Sequence, residues 1–581
     1  MNVLGINLGH DAGAALVKDG KIIAMACEER FLRIKHARTW PVNALTFCLK
    51  QGGLRVEDID VIAVNANKAE MPNVEAFFSL ERHPRARHTF EHLSPNGNTP
   101  PVLGLLMRIA RRLIAEIYPI STLKLPVYIE PFRIKEGAEI VWVDHHLGHA
   151  ASAYYTSGFN EPSLIITADG IGDGTSTAIW MGEGGKIRPV LRIGSEGSLG
   201  WAYGAVTEAL GWEVNEGEGK TMGLAPYGND QNCKGALDFL FPQYSNGNLL
   251  RPHEFGKVSG WYVASFDRWH FPDAKRVQEL TTRVGKEHIA AEAQSQLERQ
   301  MAEIILPWAQ KQGIKKVCAA GGVFLNVKMN QRILQSGVLE GYHIYPDAGD
   351  GGIAPGIALY AWYAKTGSTH INSLANVYFG PQYTNDEIER VLKERNLSYT
   401  LCKDMEARVA DLLAQGKIVG WLQGRMEAGP RALGNRSILM DPRRAENKDI
   451  INSRVKFREP FRPFCPSLLS EVQEEYLVNP VEAPYMIISF DAQKDKAPLI
   501  PAVVHVDGTA RPQALSKRQN ERFWELLHAF GERTGVPVLL NTSFNIRGEP
   551  IICTPRDAIK CFFDTGMDYL AMGDFLIGKA S

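Results

Sequence analysis

The chain lacks the sequence features of a secreted, membrane-spanning or disulfide-stabilised protein. Its 581 residues include only eight cysteines, and no two of them form a Cys-x-x-Cys pair. This scatter favours reduced thiols over a disulfide framework. No apolar run approaches the roughly 20 residues that a membrane helix needs, and no basic stretch followed by an apolar one marks a signal peptide near the first residue. We therefore expect a cytoplasmic protein with no membrane partner.

An excess of charge of one sign is also lacking. The 64 lysines and arginines nearly balance the 65 aspartates and glutamates, which leaves a net charge of −1. A chain with no basic excess and no basic helical stripe does not attract nucleic acid, so no nucleic-acid partner is expected. The length allows two or more domains, each with a sizeable core.

The strongest chemical signal is the pair His145 and His149. The Ala-rich sequence that follows predicts a helix, on which residues four positions apart project from one face. Two imidazoles placed in this way can bind a transition metal. A zinc protease would carry a glutamate directly after the first histidine, but this position is His146. The pattern therefore predicts a metal site whose other ligands come from elsewhere in the chain.

Two segments, residues 3–29 and 163–193, share one plan of a strand, a glycine-rich turn and a hairpin. The predicted strands are 3–8, 14–17 and 21–26 in the first segment, and 164–168, 175–181 and 186–193 in the second. Each turn carries acidic residues and each hairpin has its own turn signal. The alternative is two unrelated hairpins. We favour a duplicated α/β fold of the actin, sugar-kinase and Hsp70 type, which is ribonuclease H-like.

Two further glycine-rich turns follow in the N-terminal half. Gly321 and Gly322 end a strand of buried type, and bare backbone amides there can hold a phosphate or a nucleoside. Asp350 lies among glycines, where it is either a solvated turn residue or another ligand of the metal at His145 and His149. Asp169, in the turn of the second repeated segment, is the candidate fourth ligand.

The C-terminal part is rich in arginine. Beyond connecting segments at 367–369 and 380–385, the pattern predicts a helix at 404–415 and a strand at 418–422. Two loops then carry closely spaced cations, namely Arg425, Arg431, Arg436, Lys456, Arg458 and Arg462. Guanidinium groups suit bidentate binding of phosphate or carboxylate. Phenylalanines interleave with the second set of cations, which argues against a solvated basic surface. This part is predicted to bind small ligands with several negative charges.

Taken together, these motifs resemble the NodU/CmcH family of carbamoyltransferases over essentially the whole chain. The segments that carry the resemblance are His10-Asp11, Asp144–His149, Glu218–Gly228, Gly321–Val323, Gly429–Arg436, Phe461–Phe464 and Asn541–Asn545. The resemblance implies a domain at 1–370 similar to the catalytic subunit of tRNA threonylcarbamoyltransferase (TsaD-like), a connecting segment at 371–400 and a YrdC-like α/β domain at 401–581. Lys456-Phe457-Arg458 and Ser543-Phe544-Asn545 match the Lys-x-Arg and Ser-x-Asn signatures of YrdC-type domains.

The resemblance also implies a two-step reaction. In the family, the YrdC-like domain makes carbamoyl adenylate from carbamoyl phosphate and ATP, with Mg²⁺ accompanying the ATP. The N-terminal domain then transfers the carbamoyl group to a hydroxyl of a small-molecule acceptor, of natural-product or sugar-like type. The sequence does not identify the acceptor, although residues 68–135 are expected to hold loops that contact it.

The family match assigns roles to particular residues of this chain. The expected ligands of iron(II), or of another divalent transition metal, are His145, His149, Asp169 and Asp350. The residues expected to bind carbamoyl phosphate and ATP are Arg431, Lys456, Arg462, Arg511, Asn541 and Ser543, with Gly321, Gly322 and Asn326 in the N-terminal domain. The expected catalytic residues are His10, Asp11, Lys456 and Arg462, with His10 beside the acceptor. One departure is Gly217, where relatives often carry an acidic residue, and Glu216 or Glu218 is the candidate substitute.

Three other functions stay open at this point. A sugar-kinase-type ATP-dependent phosphotransferase explains the duplicated loops, but neither the histidine pair nor the arginine-rich domain. A non-catalytic nucleotide-binding scaffold is disfavoured by the metal-type and phosphate-type residues, and a tRNA-modifying role by the neutral charge. The oligomeric state is not fixed by the sequence, which is compatible with a homodimer.

Overall fold

The computed structural model describes residues 1–65, 139–252 and 273–579, and the backbone of 128–129 and 132–133. The strands are β1 Asn2–Asn7, β2 Gly13–Lys18, β3 Lys21–Cys27, β4 Val61–Asn65, β5 Tyr128–Ile129, β6 Phe132–Arg133, β7 Glu139–Val143, β8 Ser163–Gly172, β9 Thr175–Glu183, β10 Lys186–Gly194, β11 Gln243–Ser245, β12 Asn248–Arg251, β13 Lys316–Ala320, β14 Gly341–Ile344, β15 Thr400–Leu401, β16 Val419–Leu422, β17 Arg436–Met440, β18 Cys465–Leu469, β19 Phe490–Asp491, β20 Thr509–Ala510, β21 Gln513–Leu515, β22 Val538–Ser543, β23 Tyr569–Met572 and β24 Phe575–Gly578. The α-helices are α1 Glu29–Leu32, α2 Val42–Gly52, α3 His145–Tyr154, α4 Leu199–Ala209, α5 Glu218–Leu224, α6 Ala274–Val284, α7 Lys286–Gln312, α8 Val327–Leu334, α9 Ile353–Thr366, α10 Asn385–Glu394, α11 Met405–Ala414, α12 Glu446–Ile451, α13 Gln473–Tyr476, α14 Glu521–Thr534 and α15 Pro555–Phe563.

The N-terminal half contains the same sheet twice. The first sheet has the order β3-β2-β1-β4-β7 and the second the order β10-β9-β8-β13-β14. In each, the first three strands are antiparallel neighbours and the last two run parallel to the central strand. Identical order and direction confirm the predicted duplication and the ribonuclease H-like fold of the actin and sugar-kinase type.

Helices α3 and α9 pack against each other at a close approach. A Cβ at Gly148 would meet the side chains of Ile353 and Ile357 at 3.0 Å, so glycine lets the helices come together there. The helix predicted around His145 and His149 is thus confirmed, and it is packed into the core.

The second repeat differs from the expected turn at 169–174, because β8 runs on through Gly172 with a register irregularity after Ala168. Asp169 therefore lies on a distorted strand rather than in a turn.

The C-terminal half is built on one mixed sheet of eight strands. Its order is β15-β24-β23-β16-β17-β22-β18-β21, and α11 and α14 bury their apolar faces together in a core that includes Trp421 and Phe523. The α/β class, the helix at 404–415 and the strand at 418–422 are confirmed within a residue or two. The predicted connecting segment 371–400 contains the capped helix α10. The boundaries at 370 and 400 stay a prediction.

Side chains of the N-terminal half reach backbone carbonyls of the C-terminal half. Arg30 donates to Gly429 O at 2.8 Å, and Arg33 donates to the carbonyls of Pro550 and Ile551 at 2.7 and 2.6 Å. These contacts join the N-terminal half to the segments around Gly429 and around 550–551. Within the described ranges, no helix combines the length and apolar character needed to cross a membrane.

Candidate active site

The two histidines of α3 bring their Nε2 atoms together. Asp144 caps the helix by accepting the Leu147 N–H at 3.0 Å, and the first turn therefore places His145 at the start of the helix. The Nε2 atoms of His145 and His149 lie 3.2 Å apart. The His149 side chain is fully buried. Both imidazoles thus aim the same nitrogen at one point.

Two carboxylates converge on this point from β8 and from the loop before α9. Asp169 Oδ2 lies 3.5 Å from His145 Nε2 and 3.2 Å from His149 Nε2, and Asp350 Oδ1 lies 3.7 and 3.5 Å from the same two atoms. Ligands about 2.1 Å from a tetrahedral metal are about 3.4 Å from one another. Asp169 Oδ2 and His149 Nδ1 are buried without a hydrogen-bond partner among the described residues. Two imidazoles and two carboxylates, so spaced, suit a divalent transition metal.

The electrostatics of the cluster follow from burial and from these carboxylates. Burial lowers the pKa of His145, but Asp350 and Asp169 outweigh it and raise that pKa to about 9. Burial raises the pKa of Asp169, but the adjacent imidazoles of His145 and His149 bring it well below its usual value. The group therefore favours positive charge at its centre, whether it comes from protons or from a cation that displaces them.

His146 faces away from the cluster. Its Nδ1 lies 2.9 Å from Thr167 Oγ1 and its Nε2 lies 2.9 Å from the Thr175 carbonyl. Burial, with the neighbouring His145 and His149, lowers its pKa to about 3. His146 is therefore a neutral core residue that ties α3 to the second sheet.

Glycines allow the ligand-bearing strands to lie close together. A Cβ at Gly172 would overlap the His145 ring, and one at Gly322 would lie 3.1 Å from Asp169 Oδ1. Gly321 has a φ of +103°. The turn at 321–322 therefore lies directly against Asp169.

The side chain of Asn326 makes hydrogen bonds within the N-terminal half. Its Oδ1 accepts the Met329 N–H and caps α8, and its amide pairs with that of Gln294. A role for Asn326 in nucleotide binding stays a prediction.

The first loop holds a second group of titratable side chains. His10 Nδ1 lies 2.8 Å from Asp11 Oδ2, and His36 Nδ1 lies 2.7 Å from Asp11 Oδ1. The sequence did not predict His36, because no pattern connects the two loops. Glu216 lies 3.9 Å from His36 Nε2 and 3.3 Å from Lys35 Nζ. Of the two acidic candidates around Gly217, Glu216 is the one with the ion-pair contacts to this loop.

Asp347 lies between the two groups and was also missed. It is buried, its Oδ2 has no hydrogen-bond partner in the described structure, and burial together with the charge of Asp11 raises its pKa to about 7. The His149 charge acts on it from the side of the His145–Asp350 group. In the sequence, the one feature that pointed to Asp347 was its position three residues before Asp350.

The C-terminal half holds a cluster of arginines that repel one another. The members are Arg431, Arg458, Arg462 and Arg511. Burial lowers the pKa of Arg431 to about 9, and the charges of Arg511 and Arg462 add to the shift. Burial and the charge of Arg462 lower that of Arg458 to about 9. Arg431 Nε is buried with no hydrogen-bond partner among the described residues. A cation cluster that destabilises itself in this way suits a multiply charged anion.

Lys456 is buried beside these arginines. Its Nζ donates to the carbonyls of Ser543 and Asn545 at 2.8 and 3.0 Å, and to Asn545 Oδ1 at 2.7 Å. Burial, with the charge of Arg458, holds its pKa well below the ordinary value. The Lys-x-Arg and Ser-x-Asn segments are therefore in direct contact. Asn541 lies nearby with its amide bound to Ser467 Oγ and Gln513 Oε1.

The prediction that the arginine-rich loop as a whole binds anions is wrong for two of its members. Arg436 is fully buried and donates to five backbone carbonyls, those of Pro381, Gln423, Gly424, Asn435 and Cys553. Arg425 donates to the carbonyls of Ile23, Phe379 and Gly380. Both guanidinium groups satisfy backbone acceptors, which leaves Arg431 as the member of this loop that joins the cation cluster.

The cation cluster lies at the contact with the N-terminal half. Lys220 of α5 lies 3.4 Å from Glu459 Oε1, and a Cβ at Gly223 would meet Pro463 at 3.5 Å. The Lys35 charge acts on Lys456. The loop of His36 and the arginine cluster therefore face a common region between the two halves.

Comparison with known proteins matches the chain to a family in two parts. Residues 2–359 match the family model described as carbamoyltransferase N-terminus, and residues 410–579 match the one described as carbamoyltransferase C-terminus. The chain belongs to the carbamoyltransferase family, which confirms the resemblance to NodU/CmcH proteins, and it is a carbamoyltransferase enzyme.

Several relatives match nearly the whole chain. Nodulation protein NolNO of Sinorhizobium fredii is 37% identical over 98% of this chain and 79% of its own. The uncharacterized protein sll1178 of Synechocystis sp. is 35% identical over 100% of this chain and 97% of its own. Among solved structures, full-length HypF in the phosphate- and nucleotide-bound form covers 64% of this chain and 56% of its own at 12% identity. Its TM-score of 0.33 is too low to bear on the site.

Proposed function

We propose that the protein is an ATP-dependent O-carbamoyltransferase that works in two steps. Carbamoyl phosphate and ATP form carbamoyl adenylate in the C-terminal half, and the carbamoyl group then passes to a hydroxyl of a small-molecule acceptor in the N-terminal half. The observation that carries the proposal is the cluster of Arg431, Arg458, Arg462 and Arg511, whose mutual repulsion a substrate with several negative charges would relieve.

In the first step, water hydrolyses carbamoyl phosphate to carbamate and phosphate. A carbamate oxygen then bonds to the α-phosphorus of ATP, and pyrophosphate leaves with the electron pair of the broken bond, which gives carbamoyl adenylate. The arginines neutralise the negative charges of both substrates, as in other phosphoryl-group sites. Lys456 holds the Ser543–Asn545 segment in place through its hydrogen bonds. Mg²⁺ accompanies ATP in this step. The proposal assigns Arg431, Lys456, Arg462, Arg511, Asn541 and Ser543 to these substrates.

The second step uses the residues of the first loop. His10 accepts the proton of the acceptor hydroxyl, the hydroxyl oxygen bonds to the carbamoyl carbon, and AMP leaves with the electron pair of the broken bond. Iron(II) or a related divalent metal, held by His145, His149, Asp169 and Asp350, would supply Lewis-acid polarisation of a carbonyl or phosphoryl oxygen. Asp169 lies against Gly321 and Gly322, which supports a place for the adenylate beside this cluster.

The acceptor class in the proposal is a natural-product or sugar-like alcohol, so the enzyme would act in secondary-metabolite biosynthesis. Residues 68–135, predicted to contact the acceptor, are outside the described residues apart from the backbone of 128–129 and 132–133.

Product analysis tests this proposal against the sugar-kinase alternative. Incubation with ATP and [13C]carbamoyl phosphate is expected to give pyrophosphate and AMP, and a matching alcohol should acquire the label as a carbamate ester. Mass spectrometry separates a carbamoyl addition from a phosphoryl addition. Conversion of ATP to ADP, with a phosphorylated alcohol and no label in any product, would refute the transferase and support the kinase.

A further inference from the structure

Asp11 is shared by two histidines. Its two carboxylate oxygens each lie within 2.8 Å of a different Nδ1, one from His10 and one from His36. The two rings stack with centroids 4.6 Å apart and an interplanar angle of 28°. The pairing joins loops that are 25 residues apart in the chain, so it is a tertiary contact.

The protonation of the pair follows from Asp11. Burial raises the pKa of this carboxyl, but the hydrogen bonds from His10 and His36 bring it well below its ordinary value. An ionised carboxylate only accepts hydrogen bonds, so each imidazole must carry its hydrogen on Nδ1. The Nε2 atom of a neutral His10 is then a free acceptor, which is the state that a general base needs.

Both loops adopt unfavourable backbone conformations at the contact. Asp11 has a φ of +54° and His36 a φ of +51°, a region that residues other than glycine seldom occupy, although asparagine, aspartate and histidine are enriched there. The Ala12 N–H donates to the Ala37 carbonyl at 3.0 Å and holds the loops together. Strain of this kind persists where surrounding structure enforces it, and it concentrates at functional sites.

Three acidic residues lie close to His36, namely Asp11, Glu29 and Glu216. Glu29 Oε2 accepts the His36 backbone N–H at 3.1 Å, and Glu216 Oε1 lies 3.9 Å from Nε2 with Lys35 beside it. Burial lowers the pKa of His36, but Asp11, Glu29 and Glu216 outweigh this effect and raise it. The His36 side chain therefore lies among acidic groups, and only 30% of it is exposed.

We infer that His36 is a positioning residue for His10: it fixes Asp11 so that the second carboxylate oxygen holds His10 in the Nδ1–H form with Nε2 free. This inference rests on the proposed function, in which the free Nε2 receives the hydroxyl proton while the oxygen–carbon bond forms. His36 itself takes up no proton in the step. The alternative for the same three side chains is a second metal site, since their ligand atoms lie within 4.8 Å of one another.

The test measures the His10 tautomer directly by nitrogen NMR of the full-length protein labelled with [15N]histidine. The His10 signals are assigned by their loss in His10→Asn. In the wild type, His10 is expected to be in the Nδ1–H form. His36→Ala should shift it toward the Nε2–H form, whereas His36→Asn should retain the wild-type form because the asparagine Nδ2 can replace the Nδ1–H donor. His528→Asn is the matched control, because His528 is a half-exposed residue of α14.

Each outcome decides the assignment. An unchanged His10 tautomer in His36→Ala would overturn the assignment of His36 as a positioning residue. A metal content that falls by one ion per chain in that variant would also overturn the assignment, because His10, Asp11 and His36 would then be a metal site. Pyrophosphate release from ATP and carbamoyl phosphate should stay near the wild-type rate in His36→Ala and show that the chain is folded. A wild-type enzyme that releases no pyrophosphate would refute the proposed function, whereas the NMR result on His10 and His36 would still stand.

Discussion

The side-chain amide of Asn7 donates to the backbone carbonyl of Asp350 across 3.0 Å, although the two residues are 343 positions apart. The same amide nitrogen lies 3.0 Å from His10 O and 3.1 Å from Asp11 O. Asn7 ends the central strand of the first repeat and is fully buried. One buried amide therefore connects the loop of the proposed general base with the loop of a proposed metal ligand.

Asn7→Ala is expected to weaken metal binding roughly 10- to 100-fold, the usual cost of losing a group that orients a ligand. The alanine leaves the carbonyls of Asp350 and His10 without their donor, so both loops lose a restraint. Metal content after dialysis against a graded chelator measures the effect. Asn2→Ala is the control, because Asn2 Nδ2 donates to Asp58 O at 2.9 Å at the other end of the same strand. Equal metal retention in both variants would contradict the role of Asn7.

Gly172→Ala should displace His145 and lower the metal content. A methyl group at position 172 overlaps the His145 ring, and the buried site leaves that ring little room to move. Elemental analysis and the thermal transition of the purified variant measure the result. Gly219→Ala provides the matched control, because nothing lies within 4 Å of a Cβ at that helical position. Full metal content in Gly172→Ala would show that His145 is not a ligand.

Local sequence patterns predicted the N-terminal fold because strand alternation, turn glycines and helix spacing are local properties. The strands around Gly9–Gly13 and the helix at His145 were found in this way. The four-residue spacing also placed both imidazoles on one face. The approach of Asp169 and Asp350 to these imidazoles could be seen only in the folded structure, because the two carboxylates come from separate elements.

The sequence could not predict the contacts of His36 or the binding partners of the individual arginines. The Asp11–His36 contact depends on two loop conformations with positive φ. Arg425, Arg431 and Arg436 are chemically identical and closely spaced. Whether a guanidinium group binds backbone carbonyls or joins a ligand site depends on which acceptors the tertiary fold places beside it.

Substitutions in the N-terminal and C-terminal halves of the site are expected to abolish different steps of the reaction. His149→Ala should lose the metal, of which the wild type should hold about one ion per chain, and it should stop carbamoyl transfer while pyrophosphate release continues. Lys456→Ala and Arg462→Ala should abolish carbamoyl-phosphate-dependent pyrophosphate release and keep the metal. Elemental analysis and a coupled pyrophosphate assay distinguish the two classes. A normal rate of pyrophosphate release in Arg462→Ala would contradict the division of labour.

Arg431 and Arg436 should respond in opposite ways to the loss of charge. Arg431→Gln removes one of several cations that repel one another, so the free energy of unfolding should stay level or rise by about 0.5–2 kcal/mol while pyrophosphate release is lost. Arg436→Gln leaves five buried carbonyls short of their donor and should cost about 1–3 kcal/mol or more, with a lower melting temperature. Thermal unfolding with and without carbamoyl phosphate measures both effects.

Carbamoyl phosphate should stabilise the wild type but not Arg431→Gln, because a ligand that binds only the folded state raises its stability. If Arg431→Gln lowers the melting temperature as much as Arg436→Gln does, Arg431 is structural and the anion site lies elsewhere.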